Sequence, residues 1–177
     1  DIYAQWSPNE KVALEVGIGS SFSGARIMVA MKHVGVNVAA DPLFTVAYTG
    51  VNGGLVILVA DDPGMHSSQN EHDSRYYARS AHIPMLEPSD SYEAKEFVKE
   101  AFEISEKYDT PVFVRLTTRI SHSQSIVEMN DRKEVPLKEY KKDFKKNVMM
   151  PAMARVKHVI VEKRMNQIAE DASTCVL

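Results

Sequence analysis

Leu55-Val56-Ile57-Leu58-Val59-Ala60 is an unbroken apolar run, and it constrains the fold more than any other stretch of the chain. A strand that faces water on one side alternates apolar and polar residues. A run without alternation is how a strand covered on both faces reads. A central strand of this kind requires a sheet sandwiched between helices, and the flanking sequence supplies the helices.

Glu10–Ser23 reads as a helix, with small or apolar residues at 13, 14, 17, 18 and 21 forming one stripe. Gly24 ends it, and Arg26–Lys32 follows as a strand in which Ile27, Val29 and Met31 alternate. Val36–Tyr48 reads as a further helix that Asp41-Pro42 breaks or delays. Ile83–Glu87 reads as a short strand. Ser89 then caps a helix over Ser91–Tyr108, whose buried face is Ala94, Phe97, Val98, Ala101, Phe102 and Ile104. Pro111–Thr117 is the last strand, and Ile2–Trp6 is a short strand candidate at the start. This alternation implies an α/β fold, a three-layer, doubly wound and mainly parallel sheet. After Ile126 the character changes. Glu128–Lys146 is highly charged and reads as a solvated connector with one helix near Leu137–Phe144. Ala152–Ala172 reads as an amphipathic helix with apolar residues at 153, 156, 159, 160, 165, 168 and 169. The expected division is therefore 1–126 as the sheet domain and 127–177 as a connector and helix leading to a further domain, where that helix would find its partner surface.

Composition excludes several classes of function. The 177 residues carry a net charge of −3, the opposite of a nucleic-acid surface. No apolar run reaches the length of a membrane span. The sequence begins with Asp1 and shows no signal peptide, which reads as a piece of a longer polypeptide. Cys175 is the single cysteine, so neither an internal disulfide nor a cysteine-held iron–sulfur cluster forms within the chain, and a reducing cytoplasm is the natural compartment.

In sheets of this kind, sites lie at the carboxyl ends of the strands, and polar segments begin there. Lys32-His33 precedes Gly35, which permits a tight turn, and Asn37, which suits a helix cap as well as a ligand. The pair is either a substrate-facing element or a solvated loop. Asp61–Arg75 is long and polar for a connection. Its His66, Gln69, Asn70, His72 and Asp73 are placed to meet a substrate or a neighbouring subunit. His66, His72 and Asp73 have no recognised metal-ligand spacing, and no metal is expected in this chain. Arg119 and His122 follow the last strand as a carboxylate partner or as plain solvated residues. Ser7-Pro8-Asn9-Glu10 fits a capping box, with Ser7 at the N-cap and Glu10 at the third helical position. No Gly-x-Gly-x-x-Gly follows a strand, which weighs against a dinucleotide- or flavin-binding domain.

Four stretches carry a family resemblance: Trp6-Ser7-Pro8-Asn9-Glu10-Lys11-Val12-Ala13; Met31-Lys32-His33-Val34-Gly35-Val36-Asn37-Val38-Ala39-Ala40-Asp41-Pro42; Asp61-Asp62-Pro63-Gly64-Met65-His66-Ser67-Ser68-Gln69-Asn70-Glu71; and Leu116-Thr117-Thr118-Arg119-Ile120-Ser121-His122-Ser123. In this order and spacing they resemble the pyrimidine-binding domain of the 2-oxoacid:ferredoxin oxidoreductases, most strongly the indolepyruvate-type alpha subunits. The resemblance implies a thiamine-diphosphate-binding fold in which Glu10 contacts the aminopyrimidine ring, Gly35 and Asn37 lie at the cofactor, and Lys32, His33, His66, Gln69 and Asn70 face the substrate. It implies oxidative decarboxylation of an arylpyruvate, with coenzyme A taking the acyl group and electrons passing through 4Fe-4S clusters to ferredoxin. It further implies a beta subunit, an oligomeric enzyme, and a Mg2+ and diphosphate site elsewhere, since no Gly-Asp-Gly followed by an Asn pair occurs here. The other reading is a non-catalytic module of the same fold that provides a subunit interface.

Overall fold

The computed structural model describes residues 2–174, so Asp1 and Cys175 lie outside the described residues. Its centre is β2 (Leu55–Asp61), paired in parallel with β1 (Ile27–Lys32) on one side and β4 (Val112–Thr117) on the other. The two-residue β3 (Met85–Leu86) adds in parallel to β4, giving the order β1-β2-β4-β3. Successive side chains of a strand point to opposite faces, and the apolar run of β2 fills a core on each. Leu55, Ile57 and Val59 join Val29, Met31 and Phe113 on one face, while Val56 joins Val112 and Val114 on the other.

The first face is covered by α1 (Glu10–Phe22), α2 (His33–Val38), α3 (Ala40–Thr49) and α4 (Ser74–Ala81). They contribute Leu14, Val36, Leu43, Val46, Ala47, Ala78 and Ala81 to its core. The second face is covered by α5 (Ser91–Tyr108) through Ala101, with Val98, Phe102 and Ile104 packed beside it. The three-layer parallel α/β architecture is the one the sequence implies. Helix α1 sits close on β1: a Cβ on Gly17 would lie 2.5 Å from Val29 Cγ2.

Several elements differ from expectation for identifiable reasons. Residues 2–7 form no strand, because no neighbouring strand satisfies their backbone, and Ile2, Tyr3 and Trp6 stand almost wholly exposed. The N-cap of α1 is Asn9, whose side chain accepts from the Val12 amide at 2.9 Å, so Glu10 is the first helical residue and not the third. The helix expected over Val36–Tyr48 is two helices that meet at Ala39, with Asp41 and Pro42 in the first turn of α3. A proline is tolerated in a first turn because the amide it lacks has no partner there. The strand over Ile83–Glu87 shrinks to Met85–Leu86. The cap of α5 is Asp90, which accepts from Glu93 N–H, while Ser89 donates to the Glu93 carboxylate. After the short α6 (Thr118–His122), no helix forms over Leu137–Phe144. There the Lys138 amide donates to the Gly24 carbonyl and the Glu139 carbonyl accepts from Asn52. Helix α7 (Phe144–Asn147) begins only after Asp143 caps it.

The terminal helix α8 (Pro151–Thr174) docks on the sheet domain, against α3. Its inward face is also rotated from the expected stripe. Val161 is buried, while Val156, Val159 and Ile160 are exposed. Polar contacts explain the rotation. Arg164, half-buried, donates to the Ala47 and Asp109 carbonyls at 2.6 and 2.8 Å, the free carbonyls where α3 and α5 end. Asp171 accepts from Lys107 at 2.9 Å and from the Tyr108 hydroxyl. No described helix is long and apolar enough to cross a membrane.

One carboxylate ties three segments together at the amino ends of the strands. Glu106 accepts from Arg26 Nε at 2.9 Å and from the Gly54 amide at 3.0 Å, and pairs with Lys138 at 3.0 Å. Burial pushes its pKa up, but the Arg26 hydrogen bond, with those of Lys138 and Gly54, outweighs burial and lowers it from 4.5 to about 2. A carboxylate depressed on folding stabilises the protein above its unfolded pKa, and that stabilisation fades as pH falls through the folded value. Glu106→Gln should therefore cost about 1–3 kcal/mol at neutral pH, and its deficit should shrink as pH drops from 4.5 towards 2. Urea unfolding of parent and variant across that range checks this; a deficit independent of pH would contradict the charge assignment.

Candidate functional site

Parallel strands leave all their carboxyl ends on one edge. The chain turns there from β1 into α2 and from β4 into α6, while β2 opens into the long segment before α4. Helix α1 feeds β1 from the opposite end, so its first turn also lies at this edge. Two contacts show it. Lys11 pairs with Asp41 of α3 at 3.0 Å, and the Glu10 side chain rests on Gly35 of α2. A Cβ at residue 35 would lie 2.4 Å from Glu10 Cγ and 3.0 Å from its Oε1.

Three of the carboxylates at this edge, Asp61, Asp62 and Glu10, are in different states. Asp61, buried, accepts from the Ser74 amide and hydroxyl and from Arg115 Nε at 2.6 Å. Burial pulls the Arg115 guanidinium down, but Asp61 and Glu87 outweigh it, so its pKa is raised. Asp62, also buried, accepts from the Ser68 and Thr118 hydroxyls at 2.6 and 2.7 Å and from the Ser67 and His66 amides at 2.7 and 3.2 Å. These bonds, Ser68 foremost, hold its carboxyl well below the ordinary range. Glu10 is only half-buried, and among the described residues no hydrogen bond or ion pair reaches its carboxylate.

The other expected site residues divide into two groups. Lys32 reaches the loop after β2, donating to the Ser67 carbonyl at 2.5 Å and lying 3.7 Å from Asp62. His33, expected as one of a substrate-facing pair, is turned inward and is fully buried. Its Nε2 lies 3.2 Å from the Asn70 carbonyl, and its ring meets His72 edge-on at 5.2 Å between centroids. The Nδ1 atoms of both His33 and His72 are buried and lack a partner among the described residues. Asn37 is no helix cap; it lies within α2 and accepts from the Tyr77 hydroxyl at 2.9 Å. His66, Gln69 and Asn70 are exposed on the loop. That loop turns at Gly64 and at Met65, a non-glycine residue with φ of 55°, and Glu71 closes it by accepting from the Gly64 amide at 3.0 Å. Arg119 and His122 lie in α6 and are exposed. His66, His72 and Asp73 do not form a metal site: among the described residues no three His, Cys, Asp or Glu are grouped to hold an ion.

The residues that organise this edge, Asp61, Asp62 and Arg115, are absent from the sequence-based candidates. Signals for them exist. Two acids directly follow the apolar run, and an arginine interrupts the apolar Val112–Thr117 strand, where a buried charge demands a partner.

The family described as pyruvate flavodoxin/ferredoxin oxidoreductase, thiamine diphosphate-binding, matches residues 6–173. The chain belongs to this family. The indolepyruvate oxidoreductase subunit IorA of Archaeoglobus fulgidus is 49% identical over 92% of this chain, and that of Pyrococcus abyssi 50% identical over 96%. The chain spans only 27% of the length of either relative. The 2-oxoglutarate:ferredoxin oxidoreductase of Magnetococcus marinus, solved with 2-oxoglutarate, coenzyme A and succinyl-CoA bound, shares the fold. Its TM-score is 0.65 over 93% of this chain and 36% of that one, at 13% identity.

The thiamine-binding character of the family can be tested on the edge itself. Glu10 is a half-buried carboxylate that no described residue bonds, resting against the bare Gly35 position of α2, and it offers a free carboxyl group to a ring nitrogen. A free carboxyl group of this kind is compatible with the family's thiamine cofactor. The loop beside it is braced by Asp62, and Asp62→Ala would leave two hydroxyls and two amides without that acceptor. Amide exchange at Ser67 should then accelerate about 10-fold or more, with the strand amides of β1 unchanged. Unchanged exchange at Ser67 would show that the loop is held by something else.

Proposed function

We propose that this chain is the pyrimidine-binding part of a thiamine-diphosphate-dependent oxidoreductase of the indolepyruvate type, which converts arylpyruvates to acyl-CoA and passes electrons to ferredoxin. The observation that carries the proposal is Glu10, the one of these three edge acids that takes no hydrogen bond or ion pair among the described residues. The near-half identity to the IorA subunits supports the arylpyruvate class of substrate.

When bound, thiamine diphosphate supplies a carbon nucleophile for a 2-oxo group and a sink for the electrons left as carbon dioxide departs. The chain's own residues position and charge-balance the site. Glu10 would share one proton with a pyrimidine ring nitrogen, its carboxyl group donating to the neutral ring and its carboxylate accepting once that nitrogen is protonated. Lys32, anchored on the Ser67 carbonyl, adds positive charge at the same edge, where the carboxylate of a 2-oxoacid is drawn. His66, Gln69 and Asn70, on the braced loop, face the substrate or the opposing subunit. His33 and Asn37 act through the loop and α4 contacts that fix α2. The Mg2+ and diphosphate site, the 4Fe-4S clusters, the beta subunit and the coenzyme A site belong to the rest of the enzyme.

In the complete oxidoreductase, Glu10→Gln keeps the shape of the side chain but cannot hold the exchanged proton. Arylpyruvate-dependent ferredoxin reduction should fall by on the order of 100- to 10,000-fold, with the thermal midpoint unchanged. Glu15→Gln, on an exposed position of the same helix, is the control and should keep its rate. Near-normal turnover by Glu10→Gln would remove Glu10 from the chemistry.

A further inference from the structure

We propose that Gly35 is a positioning residue, whose missing side chain sets the direction of the Glu10 carboxylate. The inference rests on the reading of Glu10 given above and concerns this chain's own geometry. Gly35 lies within α2, and its carbonyl accepts the Ala39 amide at 2.9 Å in ordinary helical fashion. Its φ is not in the left-handed region, so the backbone does not require glycine. At a helical φ such as this, alanine restricts the unfolded chain more than glycine does and is intrinsically the better residue. A glycine there needs another explanation, and the space beside it supplies one.

A Cβ on residue 35 would meet only Glu10 as its nearest neighbours: Cγ at 2.4 Å, then Cδ and Oε1 at 3.0 Å. Either α2 or Glu10 must yield to it. Helix α2 is held from several directions. His33 is fully buried and bonded to the loop at the Asn70 carbonyl, Val36 is 1% exposed in the main core, and Asn37 accepts from Tyr77 of α4. Glu10 is half-buried, at the start of its helix, and takes no bond among the described residues that would fix it. The side chain with least restraint moves, so a methyl group at residue 35 turns the Glu10 carboxylate away and leaves the helix in place. Gly35 thus gives up helix stability for carboxylate position.

Alanine at this position should therefore separate stability from activity. In the complete oxidoreductase, Gly35→Ala should reduce arylpyruvate turnover by on the order of 100-fold, the scale of a misplaced catalytic group. The thermal midpoint of the cofactor-free protein should stay level or rise. In a Glu10→Gln background the same Gly35→Ala change should cost almost nothing further, because it acts through Glu10. An equal loss in both backgrounds, or a midpoint lowered by more than about 5 °C, would show that α2 is what yields and overturn the inference. Full activity of Gly35→Ala beside a crippled Glu10→Gln would also overturn it while leaving the role of Glu10 intact. Full activity of Glu10→Gln would overturn both.

Discussion

Burying β2 on both faces is the constraint from which the rest of the structure follows. A strand with no solvent-facing side must have its backbone paired on both edges, and β1 and β4 do this in parallel along almost its whole length. Parallel neighbours require crossovers, and these place α2 to α4 on the face that α1 also covers and α5 on the other. With every strand running the same way, the turns after β1, β2 and β4 gather on one edge. The first turn of α1 is delivered there by the same geometry. The position of Glu10 is thus a consequence of the Leu55–Ala60 run some 45 residues away in sequence.

At that edge the protein distributes its acids unequally. Asp61 and Asp62 are buried and fully engaged, one by Arg115 and Ser74, the other by a ring of hydroxyl and amide donors. Buried carboxylates survive only with such partners. Glu10 is left half-buried and unengaged, and the neighbouring backbone is cut back to glycine. The engaged acids hold the loop and the strand ends, while Glu10, unbonded among the described residues, rests against Gly35 of α2. Burial of the Arg115 guanidinium disfavours its charge, and Asp61 and Glu87 outweigh that, so the cluster ties the carboxyl end of β2 to β4.

The layers of the fold were legible because burial writes itself into periodicity. The apolar run marks β2, alternation marks β1, and the helical stripes mark α5 in full and α1 to within one residue at its end. Features set by single polar contacts were not legible. Asn9 and not Ser7 caps α1, and nothing in the spacing Ser7-Pro8-Asn9-Glu10 distinguishes the two. The inward face of α8 is chosen by Arg164 and Asp171, which are polar, over Val156, Val159 and Ile160. An apolar-stripe rule misses a helix docked through its charges. For the site, motif order pointed to Glu10 and Gly35, and the structure brings them into contact. His33 looked like a loop ligand because its burial depends on His72 and on the Asn70 carbonyl, residues distant in sequence whose approach no local pattern reveals.

The proposed catalytic role of this edge depends on Glu10 meeting the cofactor. The most direct measurement is a structure of the complete oxidoreductase with thiamine diphosphate bound. The account predicts a Glu10 carboxylate oxygen within hydrogen-bond distance, about 2.6–3.0 Å, of a pyrimidine ring nitrogen, with Gly35 Cα against the other side of the glutamate. A pyrimidine ring bound elsewhere, with Glu10 facing water, would contradict it.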